Sequence, residues 1–132
     1  MQDLTLVAAI VATGLFAALA AFQATLAAGA PLGAHVLGGR YSDALPPRVR
    51  AFSGIAAVIL LAFAGVMLAR AGVIGWPTGI AGLLAPAAWV IAGFLVLNTL
   101  GNLASKSRFE RTALAATTAV LAVLCGFVAM AA

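Results

Sequence analysis

The sequence predicts an all-α integral membrane protein, a bundle of four transmembrane helices, on three observations. The 132 residues are 65% hydrophobic and only 8% charged, with a mean hydropathy of +1.20. Four long apolar runs fill most of the chain, and no charged residue lies inside any of them. Each run is close to the roughly 20 residues that cross the hydrocarbon core, where only a helix pairs its own backbone groups.

The four runs define the predicted spans of a single transmembrane domain, residues 1–132. The spans are residues 4–28, 51–69, 85–104 and 112–131. The small residues at 27–30 resemble a signal-peptide cleavage site. However, no Lys or Arg precedes the first run, and the run is longer than a typical signal core. We therefore expect the first run to remain as a helix.

The basic residues predict how the helices are oriented. Six of them lie in the two loops at one end of the predicted bundle: Arg40, Arg48, Arg50, Lys106, Arg108 and Arg111. The opposite end has only Arg70. Since Lys and Arg remain on the cytoplasmic side, both termini should lie outside, in a multi-pass protein of the bacterial inner membrane. The net charge of +4 then belongs to membrane-facing loops and does not indicate nucleic-acid binding.

The loop between the first two spans is predicted to be ordered. Residues 29–50 include Pro31, the pair Gly38 and Gly39, and the pair Pro46 and Pro47, with apolar residues between them. Prolines fix the path of the chain and glycines permit tight turns, whereas a flexible linker is more polar. We expect this cytoplasmic loop to fold over the mouth of the bundle.

Polar residues of the spans gather in the predicted cytoplasmic half. Asn98 and Asn102 are four positions apart and therefore share one face of the third helix. Gln23 of the first span and Ser53 of the second lie toward the same end of the bundle, and the folded loop can bring His35 near them. These five residues form the predicted ligand-binding set.

Two interpretations of this polar set remain open. The amides either clamp neighbouring helices together or line a cytoplasm-facing pocket for a lipid headgroup or a small neutral ligand. Arg40, Arg48 and Arg50 are candidates for holding a headgroup phosphate, although basic residues are expected at a cytoplasmic membrane surface in any case.

The sequence does not predict an enzyme. The acidic residues Asp3, Asp43 and Glu110 all lie outside the predicted hydrocarbon region, and no metal-ligand spacing or nucleotide-binding glycine pattern is present. A catalytic triad would need His35, Asp43 and a serine, and their spacing does not favour one. We expect no catalytic residue, no metal and no cofactor. The lack of charge inside the spans also disfavours ion-coupled transport.

Several local patterns occur together in this chain. They are Gly29, Ala30, Pro31 and Gly33; Gly38 and Gly39; Leu45, Pro46, Arg48 and Ser53; and Asn102, Ser105, Ser107, Glu110 and Arg111. In this combination the chain resembles a family of small, largely uncharacterised bacterial membrane proteins with four transmembrane helices. The resemblance covers most of the chain and implies a four-helix fold, but no activity. The first span has no glutamate of the kind found in small multidrug exporters, and the patterns of four-helix fluoride channels are not apparent.

The expected function is non-enzymatic: the protein binds a partner or ligand in the membrane, or serves as an accessory subunit. Gly14 with Ala18, and Gly65 with Ala69, have the spacing at which two helices approach closely, which is compatible with a membrane-protein partner or a homo-oligomer. A channel or transporter for a neutral solute is the alternative, and a membrane-embedded enzyme comes third.

Overall fold

The computed structural model describes residues 1–131, and every regular element in that range is helical. Four long helices form the fold: α1 (Gln2–Ala27), α2 (Pro47–Arg70), α3 (Leu84–Leu103) and α4 (Ala115–Ala131). A π-helical turn, Glu110–Leu114, leads into α4, and short 3₁₀ turns lie at Gly33–His35, Leu37–Gly39 and Thr78–Leu83. Four helical segments are long and apolar enough to cross a membrane, as predicted.

The second helix begins a full turn before the predicted span of residues 51–69. Pro47 is its first helical residue. Proline is favoured at this position because its ring already has the helical φ angle and its missing N–H would have no helical partner. The helix therefore starts in the basic part of the sequence, and Arg48 and Arg50 lie in its first turn.

The helices run up, down, up and down. Nε of Arg50 donates a hydrogen bond to the Ala27 carbonyl at 2.9 Å, which joins the start of α2 to the end of α1. At the other end of the bundle, Nη2 of Arg70 donates to the Ala129 carbonyl at 3.1 Å and joins α2 to α4. The loop between α1 and α2 (residues 28–46, hereafter the α1–α2 loop) and the turn between α3 and α4 consequently lie at the same end.

Small and large apolar side chains alternate in the core. Ala9, Ala12 and Ala88 are completely buried and allow the helix backbones to approach closely. Leu26 is buried separately beneath the α1–α2 loop, and the largest fully buried side chains packed with these alanines are Phe16, Met67, Leu95, Leu121, Cys125 and Val128. The main apolar core therefore draws on all four helices, and a smaller one lies beneath the α1–α2 loop.

The outer surface of the bundle carries many large apolar side chains. Only 17% to 33% of the residues in each long apolar segment are buried within the described chain. Val58, Val90 and Val123 are more than 60% exposed on three different helices. Gly14 and Gly65 also face outward, because no heavy atom outside their own helix lies within 4 Å of the position of an added Cβ. Neither glycine makes a close helix contact within the bundle.

Candidate functional site

A cavity of about 170 Å³ lies among all four helices, in the half of the bundle that carries the α1–α2 loop. Its wall is mostly apolar, with Phe22 at one side. Its polar lining comes from Gln23 on α1, Asn98 and Asn102 on α3, and Thr118 on α4. The structure thus brings together three of the five residues that the sequence proposed for a ligand site.

The three amides do not link one helix to another within residues 1–131. Asn102 Nδ2 lies 3.5 Å from Asn98 Oδ1 on the same helix, which is too long for a strong hydrogen bond. Among the described residues the half-buried Gln23 amide has no hydrogen-bond partner at all. Gln23 and Asn102 are half-buried and Asn98 is exposed, and all three line the first cavity. The amides therefore face the cavity with most of their hydrogen-bonding capacity unused.

The polar contact that does join two helices in this region is between threonines. The hydroxyl of Thr99 on α3 lies 2.8 Å from that of Thr118 on α4. Thr118 is 4% exposed and lies 2.9 Å from the Leu114 carbonyl, which can take its proton. Thr99 then donates to Thr118, and the α3–α4 pair has a hydrogen bond of its own without the asparagines.

The cavity opens on the outside of the bundle between α2 and α3. The lining side chains of Ile59 on α2 and Phe94 on α3 are each 44% exposed, whereas Thr118 at the back of the cavity is 4% exposed. Moreover, α2 and α3 touch each other over a much shorter stretch than either touches its other neighbour. Phe63 and Phe94 meet edge to face with ring centroids 5.7 Å apart and close the gap toward the chain termini.

A second cavity, of about 220 Å³, lies beneath the α1–α2 loop and shares Phe22 and Gln23 with the first. The buried loop residues Val36 and Leu45 form part of its roof. Ser53 lines it, is 7% exposed, and has no hydrogen-bond partner within the described part of the chain. Gln23 and Ser53 therefore both line this second cavity.

The α1–α2 loop is held over the second cavity by Glu110. The Glu110 carboxylate accepts hydrogen bonds from the Leu37 N–H at 3.0 Å and the Gly38 N–H at 2.9 Å. The Ser105 hydroxyl donates to the same carboxylate at 2.6 Å. Leu37 has a φ of 51°, a conformation that costs a non-glycine residue about 1–3 kcal/mol, and the carboxylate holds it there.

A serine gives the loop a second attachment to the α3–α4 turn. The Ser107 hydroxyl donates to the His35 carbonyl at 2.6 Å. The Glu110 N–H in turn approaches the Ser107 hydroxyl at 3.4 Å, a long version of the usual N-terminal cap. The S-x-x-E pattern at residues 107–110 predicts a capped helix start. In this fold the acidic side chain instead binds the α1–α2 loop.

The imidazole of His35 does not line either of the two cavities. It packs edge to face on Phe109, with ring centroids 6.2 Å apart, and lies in a shallow depression outside them. The structure therefore separates His35 from Gln23, Ser53 and the asparagines of the predicted ligand-binding set.

The three arginines proposed for a headgroup have different environments. Arg50 caps the end of α1 through the Ala27 carbonyl, and its guanidinium lies against Gly29. Arg40 and Arg48 are exposed at the same end of the bundle. Only these two have their guanidinium groups directed at the surroundings and not at a helix end.

Sequence reasoning did not identify two parts of the site. Phe63 and Phe94, which bound the opening, were not separable from other apolar residues, because a chain with apolar residues on every helix face has no signal for a cavity wall. Glu110 was predicted only to lie outside the hydrocarbon region, and the S-x-x-E pattern at residues 107–110 is the signal in the sequence that places it at a helix start.

Comparison of the chain with family models, with curated proteins and with solved structures found no match. The fold and the site define the class on their own. The chain is a four-helix all-α bundle whose long helices have the length and apolarity of membrane spans, with an amide-lined cavity near one end.

Proposed function

We propose that this chain is an integral membrane protein that binds a small uncharged molecule or a lipid headgroup in the amide-lined cavity and does not catalyse a reaction. The apolar outer surface supports insertion in a bilayer, because lipid is the solvent in which such a surface is stable. We place it among the small four-helix membrane proteins of bacteria that its sequence patterns resemble.

The distribution of basic residues supports an orientation with both termini outside. The α1–α2 loop and the α3–α4 turn lie at one end, and this end carries six of the seven basic residues. Positively charged loops remain on the cytoplasmic side during insertion. The amide-lined cavity then lies in the cytoplasmic half of the membrane.

The observation that carries the binding proposal is the unused hydrogen-bonding capacity of Gln23, Asn98 and Asn102. A structural clamp would direct these amides at a neighbouring helix, and the pair Thr99 and Thr118 already makes the polar link between α3 and α4. Amides retained in an apolar cavity without protein partners are stabilised when a ligand supplies the missing hydrogen bonds.

The lining also favours an uncharged ligand. No residue around the first cavity carries a formal charge, and its polar groups are amides and one hydroxyl. An ion entering it would lose its hydration without gaining an opposite charge, which is more costly than burying a neutral polar group.

The test is mass spectrometry of the protein purified in a mild detergent, in wild-type and Gln23→Leu forms. We expect the wild type to retain a small molecule or one lipid species, and Gln23→Leu to lose it while unfolding at the same temperature or higher. Thr25→Val is the matched control, since the exposed Thr25 hydroxyl bonds only to its own helix. An empty wild type together with a destabilised Gln23→Leu variant would instead establish a structural clamp.

A protein partner or a second copy of the chain is the second candidate. Gly14, Gly65 and Gly93 have open space beside them, so another helix can approach their backbones closely. In the same mass spectra, a stoichiometric protein or a defined oligomer carrying an empty cavity would favour this candidate over ligand binding.

A further inference from the structure

We infer that the ligand is a bilayer lipid with an uncharged polar head, which enters sideways between α2 and α3 and places its head against Gln23 and Asn98. This inference rests on the proposed function, since it names the ligand class and the route for the same cavity. The route and the ligand class follow from the position of the opening, the polar character of the loop end, the size of the cavity and its charge.

The exposed residues of the cavity wall give the direction of entry. Ile59 and Phe94 are each 44% exposed and flank the gap between α2 and α3. This gap lies along the apolar side of the bundle, where the neighbouring Val58 is 67% exposed. A molecule dissolved in the bilayer therefore reaches the amides without crossing either membrane surface.

The alternative route leads through the second cavity beneath the α1–α2 loop, and its wall includes the charged side chain of Glu110. Glu110 binds the backbone at Leu37 and Gly38, and Ser107 binds the carbonyl of His35. The loop residue Leu45 is 3% exposed and is buried against α1 and α2. An uncharged lipid tail entering there would pass the Glu110 carboxylate and the polar loop backbone, whereas the gap between α2 and α3 is lined by apolar side chains and has no hydrogen bond across it within residues 1–131.

The size of the cavity fits part of a lipid and not the whole molecule. Its volume of about 170 Å³ is below the range of about 300–1,000 Å³ that encloses a drug-sized ligand. A headgroup and the first carbons of a chain occupy such a space, and the rest of the chain leaves through the opening beside Ile59. An opening onto an apolar surface is required for that arrangement and is not needed by a small polar solute.

The charge of the lining selects the headgroup. Gln23 and Asn98 each offer both a donor and an acceptor, which suits the hydroxyl and carbonyl oxygens of a monoacylglycerol-like head. A phosphate or a free carboxylate would find no cation among the residues that line the first cavity. We therefore expect uncharged lipids to bind in preference to anionic lipids of the same chain length.

The experiment measures tryptophan quenching by brominated lipids in phosphatidylcholine nanodiscs. In a Trp76→Phe, Trp89→Phe background, Ile59→Trp places the probe at the opening and Val58→Trp places it one residue away on the outward face. Brominated monoacylglycerol, added as a minor component, should quench the Ile59→Trp protein several-fold more than the Val58→Trp protein. A brominated fatty acid of equal length should quench both alike. Phe94→Trp provides a second probe on the other side of the opening.

Adding Gln23→Leu to the Ile59→Trp protein should weaken the selective quenching roughly fivefold, the factor that corresponds to one lost hydrogen bond. Equal quenching of the two probe positions would overturn lipid entry, even if mass spectrometry finds a retained water-soluble molecule and the proposed function stands. Stronger selective quenching by the fatty acid would overturn the uncharged head. A wild type that retains nothing and shows no selective quenching would overturn both proposals.

Discussion

The carboxylate of Glu110 accepts a hydrogen bond from the backbone N–H of Gly38 at 2.9 Å, across 72 positions of sequence. This contact ties the α1–α2 loop to the start of the fourth helix and thereby roofs the second cavity. Gly38 has a φ of 72°, which glycine adopts without strain, and Leu37 beside it is held in a similar conformation at greater cost. The loop conformation therefore depends on a side chain from the far end of the chain.

Replacing Glu110 with Ala should release the loop locally. Hydrogen bonds to a charged group contribute about 1.5–3 kcal/mol each, so amide exchange at Leu37 and Gly38 should accelerate by roughly one to two orders of magnitude. Hydrogen–deuterium exchange in detergent measures this directly. Asp43→Asn is the control for the loss of negative charge, since the Asp43 side chain is exposed on the same loop. Unchanged exchange at both amides would show that the carboxylate does not hold the loop.

Gly33→Ala should disrupt the α1–α2 loop because there is no room for a methyl group at this position. Gly33 is buried and donates its N–H to the Asp43 carbonyl at 2.9 Å, and an added Cβ would overlap that carbonyl oxygen and contact Tyr41. We expect a loss of about 1–3 kcal/mol in thermal unfolding, as for other overpacked sites.

Gly14→Ala is the matched comparison for Gly33→Ala. Gly14 lies inside α1 with open space beside it, so alanine there should stabilise the protein by up to about 1 kcal/mol through its higher helix propensity. The two substitutions add the same methyl group and should change the unfolding temperature in opposite directions. A shared direction would contradict the packing described for Gly33.

Thr118→Val should weaken the contact between α3 and α4. Valine has nearly the shape of threonine but cannot accept the hydrogen bond from Thr99, and such interhelical bonds contribute about 0.6 kcal/mol on average. Thr117→Val is the control, because the Thr117 hydroxyl bonds only to the Ala113 carbonyl of its own helix. Thermal unfolding should separate the two variants, and equal stability would indicate that the threonine pair does not clamp the helices.

The proposed orientation predicts which loops an impermeant thiol reagent can reach. Ser42→Cys should be labelled only after the cells are permeabilised, because Ser42 lies on the basic α1–α2 loop, whereas Gly75→Cys at the opposite end should be labelled in intact cells. The native Cys125 is completely buried and should give no background in either case. Labelling of Ser42→Cys in intact cells would reverse the topology.

The number and approximate position of the helices follow from the sequence alone. Each span is a run without charge that is long enough to cross a membrane, and this property needs no knowledge of neighbouring helices. The start of the second helix was predicted at residue 51, after both prolines, whereas α2 begins at Pro47, a first-turn position that proline favours. The orientation and the membrane location remain predictions from the same local reasoning.

Only the tertiary structure decided which polar side chains bond to a neighbouring helix and which line a cavity. Thr99 and Asn98 are adjacent in sequence and both are polar, yet Thr99 bonds to the next helix while Asn98 lines a cavity. The difference depends on how each helix is rotated about its axis. When apolar residues cover every face of a helix, the sequence has no periodic signal that distinguishes the inward face from the outward one.

The contact between Glu110 and the α1–α2 loop was beyond the sequence for a related reason. The S-x-x-E pattern predicts where that carboxylate lies along its own helix, and it does so correctly. Which backbone N–H groups it meets depends on the packing of four helices, because that packing brings residues 37 and 38 to the start of the fourth helix. Local chemistry thus determined the elements of this protein, and the mutual rotation and packing of its helices determined the site.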